Sequence, residues 1–153
     1  MARMANVLLL SGPNLNLLGD REPEIYGTTT LADLVDAARR RAKAHAIDVE
    51  HVQSNSEGGL IDAIHRARGR CDAIVINPGA FTHYAYAVAD ALATFSGPIV
   101  ELHLSNTHRR EAWRHHSVMS PFVTGVIMGF GASGYELAMD AVAACLTERR
   151  ESG

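Results

Sequence analysis

Four residues, Ala73-Ile-Val-Ile76, form an unbroken apolar run between Asp72 and Asn77-Pro78-Gly79. A strand that alternates apolar and polar residues keeps one wet face, whereas a strand that is apolar throughout must be covered on both. The run therefore predicts the centre of a parallel sheet flanked by helices, and the rest of the pattern agrees. A first strand is expected over about Asn6–Ser11. A helix follows from about Leu31, with Thr30 and Asp33 spaced for a capping box and an apolar stripe of Leu31, Leu34, Val35, Ala38 and Ala42. Ile47–Gln53 alternates and reads as a half-buried strand nearer the sheet edge. Ser54-Asn55-Ser56-Glu57 offers N-cap oxygens to a helix carrying Leu60, Ile61, Ile64 and Ala67, which Gly69 ends.

A third helix is expected over about Thr82–Phe95, with Tyr84, Val88, Leu92 and Phe95 on one face. Strands are expected at Pro98–Leu102 and Val123–Met128. The last helix, about Ala132–Arg149, should pack through Ala138, Ala141, Val142, Cys145 and Leu146. This order predicts an α/β fold: a doubly wound five-stranded parallel sheet with helices on both faces. No linker or repeat divides residues 1–153, so one domain is expected, its last residues (149–153) frayed.

Composition narrows the function. A net charge of −3 and a pI near 6.2 argue against nucleic acid as a partner. The densest basic run, Arg39-Arg40-Arg41, sits mid-helix and reads as a solvated face. No stretch reaches the roughly 18 apolar residues of a membrane span, and Val7–Leu10 is too short for a secretion signal. Cys71 and Cys145 lie far apart without a CxxC pair and read as buried free thiols. A soluble cytoplasmic protein is expected.

In doubly wound sheets ligands bind outside the carboxyl ends of the strands, so the strand exits carry the functional information. The first exit, Ser11 to Gly27, is SGPNLNLLGDREPEIYG. It is far longer than the about 2–6 residues such a connection needs, and over 12–29 it is polar and tyrosine-bearing. The third strand exits into Asn77-Pro78-Gly79-Ala80-Phe81-Thr82-His83. The fourth exits through Glu101-Leu102-His103-Leu104-Ser105-Asn106 towards Arg109, Arg110 and Arg114. Ser11-Gly12-Pro13-Asn14 is no phosphate cradle, because Pro13 lacks the N–H that a phosphate needs. The exits also lack the acidic residues and lysine of a response-regulator receiver. His103, His108, His115 and His116 come without HExxH or comparable carboxylate spacing, so no metal is expected. His45, His51 and His65 read as partly exposed surface histidines.

Acid–base chemistry remains. Tyr26 is a poor base at the ordinary phenol value of about 10, but a nearby cation lowers that value, and Arg21 lies in the same loop. By itself Tyr26 reads first as an anchoring aromatic. His103 shares its strand face with Glu101, and a carboxylate beside an imidazole favours the proton-donating form. A base and an acid on facing loops suit β-elimination of water.

These residues carry a resemblance. Gly12-Pro13-Asn14-Leu15-Asn16, Arg21-Glu22-Pro23-x-x-Tyr26-Gly27, Asn77-Pro78-Gly79-Ala80-x-Thr82-His83, Glu101-x-His103-x-Ser105-Asn106 and Arg110-Glu111-x-x-Arg114-x-x-Ser117 resemble the type II 3-dehydroquinate dehydratases, from about Asn6 to Leu146. The resemblance implies a flavodoxin-like fold and reversible dehydration of 3-dehydroquinate to 3-dehydroshikimate through an enolate. It makes Tyr26 the base at C2, His103 the acid at the C1 hydroxyl beside Glu101, the loop 12–29 an active-site lid, and Arg21 a residue of that lid that stabilises developing charge. Asn14 helps hold a water at the enolate oxygen. Substrate contacts carry over to Asn77, Gly79, Ala80, His83, Leu104, Ser105 and Arg114, with Ser105 suited to a carboxylate and Arg114 to ring hydroxyls. No cofactor and no metal is implied. Trp113, where relatives often carry phenylalanine, and Asp20, which could compete for Arg21, depart from the pattern.

Two residues bear on the mechanism and the assembly. The basic residues include a single lysine, Lys43, well inside the first helix, so an imine route is not expected. Asp90 is two positions from Val88, about 200° around a helix, so it faces away from the sheet if Val88 faces it. It reads as a solvated salt-bridge residue. The resemblance instead has it reach a neighbouring subunit's active site, in trimers that build a homododecamer. The alternatives are the same reaction in quinate breakdown, and a non-catalytic small-molecule binding module on the same fold.

Overall fold

The computed structural model describes residues 3–20, 24 and 27–153. Arg21 and Tyr26 lie outside the described residues. The strands are β1 (Ala5–Ser11), β2 (Ile47–Gln53), β3 (Ala73–Asn77), β4 (Ile99–His103) and β5 (Gly125–Met128). Their spatial order is β2-β1-β3-β4-β5, with every pair parallel. This is the flavodoxin-like doubly wound order, whose switch point lies between β1 and β3. β3 is central and buried along its whole length, while β2 is an edge strand of mixed exposure.

The helices are α1 (Leu31–Ala44), α2 (Glu57–Ala67), α3 (Tyr86–Ala93) and α4 (Ser133–Ser152). One apolar layer joins Leu60 and Ile64 of α2 and Val88 and Leu92 of α3 to Leu8, Leu10, Ile74, Ile76 and Ile99 of the sheet. The opposite layer joins Leu34 and Ala38 of α1 and Tyr135, Ala138 and Val142 of α4 to Val7, Leu9, Val75, Val100 and Leu102. Helices thus cover both faces. Thr30 and Asp33 close the expected capping box, each accepting the other's backbone N–H. Ser56 caps α2 by accepting from the N–H of Gly59. Arg39, Arg40 and Arg41 are exposed, and Arg41 makes a bidentate pair with Asp140 of α4.

Several expectations are corrected. The segment expected as one helix over Thr82–Phe95 is a 3₁₀ turn, Gly79–His83, followed by the shorter α3. Tyr84 adopts a non-helical backbone between them. The tighter turn rotates the register, so Ala85 takes the buried place and Tyr84 is 53% exposed. The last helix buries Tyr135 and Met139 as well as Ala138 and Val142, and it continues to Ser152. Cys71 is buried, whereas Cys145 is only half-buried. Among the described residues no helix is long and apolar enough to cross a membrane.

Candidate active site

Close packing of backbone against backbone forms the switch point. The Gly12 N–H donates to the Asn77 carbonyl at 2.8 Å. A Cβ on Gly12 would lie 2.4 Å from the Pro78 carbonyl oxygen, so only glycine lets the β1 and β3 exits meet this closely. Asn14 follows in a left-handed conformation (φ 70°), and its N–H donates to Asn55 Oδ1 at 3.0 Å. Leu15 then tucks into the α1/α4 layer, so the first part of the long loop is anchored to the core. Gly19 (φ 92°) returns against Thr28 and Thr30, which brings the two ends of the segment between them together.

At the β3 exit Asn77 is buried, 3% exposed, and Gly79 and Ala80 are partly exposed. The Gly79 N–H donates to Asn77 Oδ1 at 3.3 Å, and Asn77 Nδ2 donates to the Tyr135 hydroxyl at 3.1 Å. This side chain points into the α1/α4 layer, on the same strand face as Val75.

The β4 exit faces the other way. Ile99 packs in the α2/α3 layer, and Glu101 and His103 share its parity. His103 Nε2 lies 2.6 Å from Glu101 Oε2, and both residues are buried. Thr82 Oγ1 donates to Oε2 at 2.8 Å and Ser120 Oγ to Oε1 at 2.8 Å. Ser117 Oγ lies 3.1 Å from Oε2 and accepts the N–H groups of Met119 and Ser120. Burial alone would raise the Glu101 carboxyl's pKa. The hydrogen bond and charge of His103, with the Thr82 and Ser120 hydroxyls, outweigh burial and hold it below the usual value. Glu101 is therefore ionised at neutral pH and can only accept. Nε2 must carry the proton it shares, which leaves Nδ1 as the ring position free for a ligand.

A cavity of 320 Å³ opens beside this pair, lined in part by Glu101, His103, Arg114, His116 and Ser117. That volume suits a small ligand. Arg114 is held by Glu111 at 2.9 Å and stacks on Trp113, its guanidinium carbon 3.9 Å from the ring centroid. His83 meets the same indole edge-on at 5.2 Å and lies 2.7 Å from the His116 carbonyl through Nδ1. Burial is the main reason the His83 pKa is lowered. Arg110 Nη1 donates to Ser105 Oγ at 3.3 Å, and both Leu104 and Ser105 are partly exposed.

The structure thus joins Glu101, His103 and Arg114 around one cavity and sets Asn14, Asn77 and Gly79 at the adjoining β1–β3 exit. Asp90 stands apart, exposed on α3, with Val88 buried against the sheet. Among the described residues, no cluster of three or more His, Cys, Asp or Glu has metal-holding geometry. Lys43 is exposed near the end of α1, where Lys43 and Ala46 connect to the amino ends of the strands. It is remote from the exits.

The sequence reading missed the hydroxyls around Glu101 and the tyrosine beneath Asn77. Thr82 lies inside the motif Asn77–His83 and Ser117 inside Arg110–Ser117, an available signal; Ser120 offered none.

A family model described as dehydroquinase class II matches residues 5–143. A 3-dehydroquinate dehydratase from Pectobacterium carotovorum subsp. carotovorum is 55% identical over 139 residues, 91% of this chain and 93% of its own length. A catabolic 3-dehydroquinase from Aspergillus clavatus is 52% identical over 94% of this chain and 96% of its own. The crystal structure of the type II dehydroquinase from Propionibacterium acnes superposes with a TM-score of 0.86 at 46% identity, covering 94% of this chain and 98% of that one. The chain belongs to the class II dehydroquinase family, the type II 3-dehydroquinate dehydratases.

Proposed function

We propose that the chain dehydrates 3-dehydroquinate reversibly to 3-dehydroshikimate through an enolate, as a biosynthetic step towards aromatic amino acids in the cytoplasm. The observation that carries this reading is the buried Glu101–His103 pair, 2.6 Å apart, beside a cavity of small-molecule size. With Nε2 committed to Glu101, Nδ1 delivers a proton to the departing C1 hydroxyl, which leaves as water. Tyr26 takes the C2 proton first, and the electron pair moves onto the carbonyl oxygen. Arg21 and a water held by Asn14 stabilise that enolate, and its collapse expels the hydroxyl. Each turnover leaves Tyr26 protonated and His103 short of one proton, so a return transfer resets the pair.

In this reading Asn77, Gly79, Ala80, His83, Leu104, Ser105 and Arg114 hold the substrate. Ser105 faces its carboxylate and Arg114 its ring hydroxyls. The chemistry needs no cofactor, and the remote position of Lys43 supports a route without an imine. Purified protein mixed with 3-dehydroquinate should show the absorbance rise of a conjugated enone, and borohydride added with substrate should leave activity intact. No absorbance rise from folded protein would sink the activity; inactivation by borohydride would sink the enolate route.

The name of the Aspergillus clavatus relative favours a second physiological reading, quinate breakdown. A deletion strain that requires aromatic amino acids supports the biosynthetic role. One that loses only growth on quinate supports the catabolic role.

The assembly proposed is a homododecamer of trimers in which Asp90 reaches a neighbouring subunit's site. Asp90 is exposed on α3 one turn from Tyr86, which is 69% exposed, so a polar and an aromatic side chain share one uncovered face. Asp90→Ala should weaken both substrate affinity and trimer integrity in sedimentation; wild-type behaviour on both counts returns Asp90 to the solvent.

A further inference from the structure

The proposed chemistry makes no use of the tyrosine beneath Asn77. Tyr135, in the first turn of α4, is completely buried among apolar residues that include Leu9, Val75, Leu102 and Met139. A phenylalanine would fill that space without burying a hydroxyl, which is costly unless hydrogen-bonded. Here the hydroxyl accepts from Asn77 Nδ2 at 3.1 Å. Ser11 and Asn77 are register partners on the last rung shared by β1 and β3. Ser11 Oγ in turn lies 2.9 Å from His51 Nε2 on β2. Two polar pairs, Asn77–Tyr135 and Ser11–His51, thus lie side by side at this rung.

The orientation of Asn77 follows from its partners. The Gly79 N–H needs an acceptor, so Oδ1 lies there and Nδ2 turns to Tyr135. One Nδ2–H and one Oδ1 lone pair remain. We propose that Tyr135 is a positioning residue whose hydroxyl fixes the Asn77 carboxamide so that this remaining donor and acceptor meet the substrate at the switch point. The inference rests on the reading above in which Asn77 holds 3-dehydroquinate. Tyr135 itself touches no substrate and acts only through Asn77.

The test is a double-mutant cycle on the full chain, with steady-state dehydration of 3-dehydroquinate as the readout. Asn77→Ala should lower kcat/KM by roughly 10–100-fold, and Tyr135→Phe by about 10-fold, within the coupling range of contacting residues. The Tyr135→Phe loss should fall mainly on KM. In the Asn77→Ala background it should shrink to about 2-fold or less. Tyr135→Met also removes the hydroxyl, with a loss that should likewise vanish when Asn77 is alanine; it decides the matter if Tyr135→Phe does not fold. Equal losses in both backgrounds, or none in either, would overturn the positioning role. A folded wild type without turnover would overturn the functional reading. An active wild type indifferent to Asn77→Ala would overturn only the part given to Asn77 and, with it, to Tyr135.

Discussion

Two buried polar clusters sit at the carboxyl end of the same sheet, on opposite faces. Towards α2 and α3, Glu101 is an ion held by His103 and the hydroxyls of Thr82 and Ser120. Towards α1 and α4, Asn77 and Tyr135 are neutral at ordinary pH and hydrogen-bonded to each other. A buried charge is tolerated only when paired and hydrogen-bonded, so the first cluster is a cage in which His103 and Thr82 hold Oε2 and Ser120 holds Oε1. A neutral pair needs only one partner per group. In the proposed mechanism charge is gathered where a proton moves, and neutral geometry where a ligand is oriented.

Four predictions test that contrast. The largest effect is expected at the charge. Glu101→Gln should lower kcat by about 100-fold, the lower end of what acid–base groups contribute, in steady-state assays. It should also alter the pH dependence of stability. The folded Glu101 pKa is lowered, so its contribution is fully present above the unfolded carboxylate value of about 4.3 and is lost as pH falls through the folded value. Urea unfolding should therefore separate wild type from Glu101→Gln at neutral pH and bring them together in acid. A constant gap would contradict the cage.

Thr82→Val removes one charged-acceptor hydrogen bond with little change in volume and should cost about 1.5–3 kcal/mol in urea unfolding. Tyr135→Phe removes a neutral bond and should cost about 1 kcal/mol. If Tyr135→Phe proves the costlier of the two, the contrast between the faces is wrong. The smallest effect is expected at Trp113, which is 54% exposed. Phenylalanine still presents a ring to Arg114 and His83, so Trp113→Phe should change stability by under about 0.5 kcal/mol and KM by no more than about 2-fold.

Much of this arrangement was readable in the chain. Ala73–Ile76 announced a central strand because no polar residue interrupts it, and alternation over Ile47–Gln53 announced an edge. Parity placed Glu101 and His103 on one face, and the two are in contact. The third helix was misjudged because a 3₁₀ turn and an α-helix present similar apolar spacing over a few residues; only the position of Tyr84 separates them. Tyr135 was invisible as a polar partner, since its spacing to Ala138, Met139 and Val142 is that of a core aromatic. His51 read as a surface residue because nothing in its neighbourhood discloses Ser11 across the strand pair. Periodicity reports which face a residue occupies. It does not report which hydroxyl across the layer will meet it.

The most direct test of the central claim, that the Glu101–His103 pair delivers the proton to the leaving hydroxyl, is the rate of enone formation from 3-dehydroquinate by His103→Ala beside wild type. Circular dichroism and sedimentation should first show the two proteins equally folded and assembled. The account predicts a rate lower by roughly 10²–10⁴-fold in the variant. A variant that forms the enone as fast as wild type would contradict it.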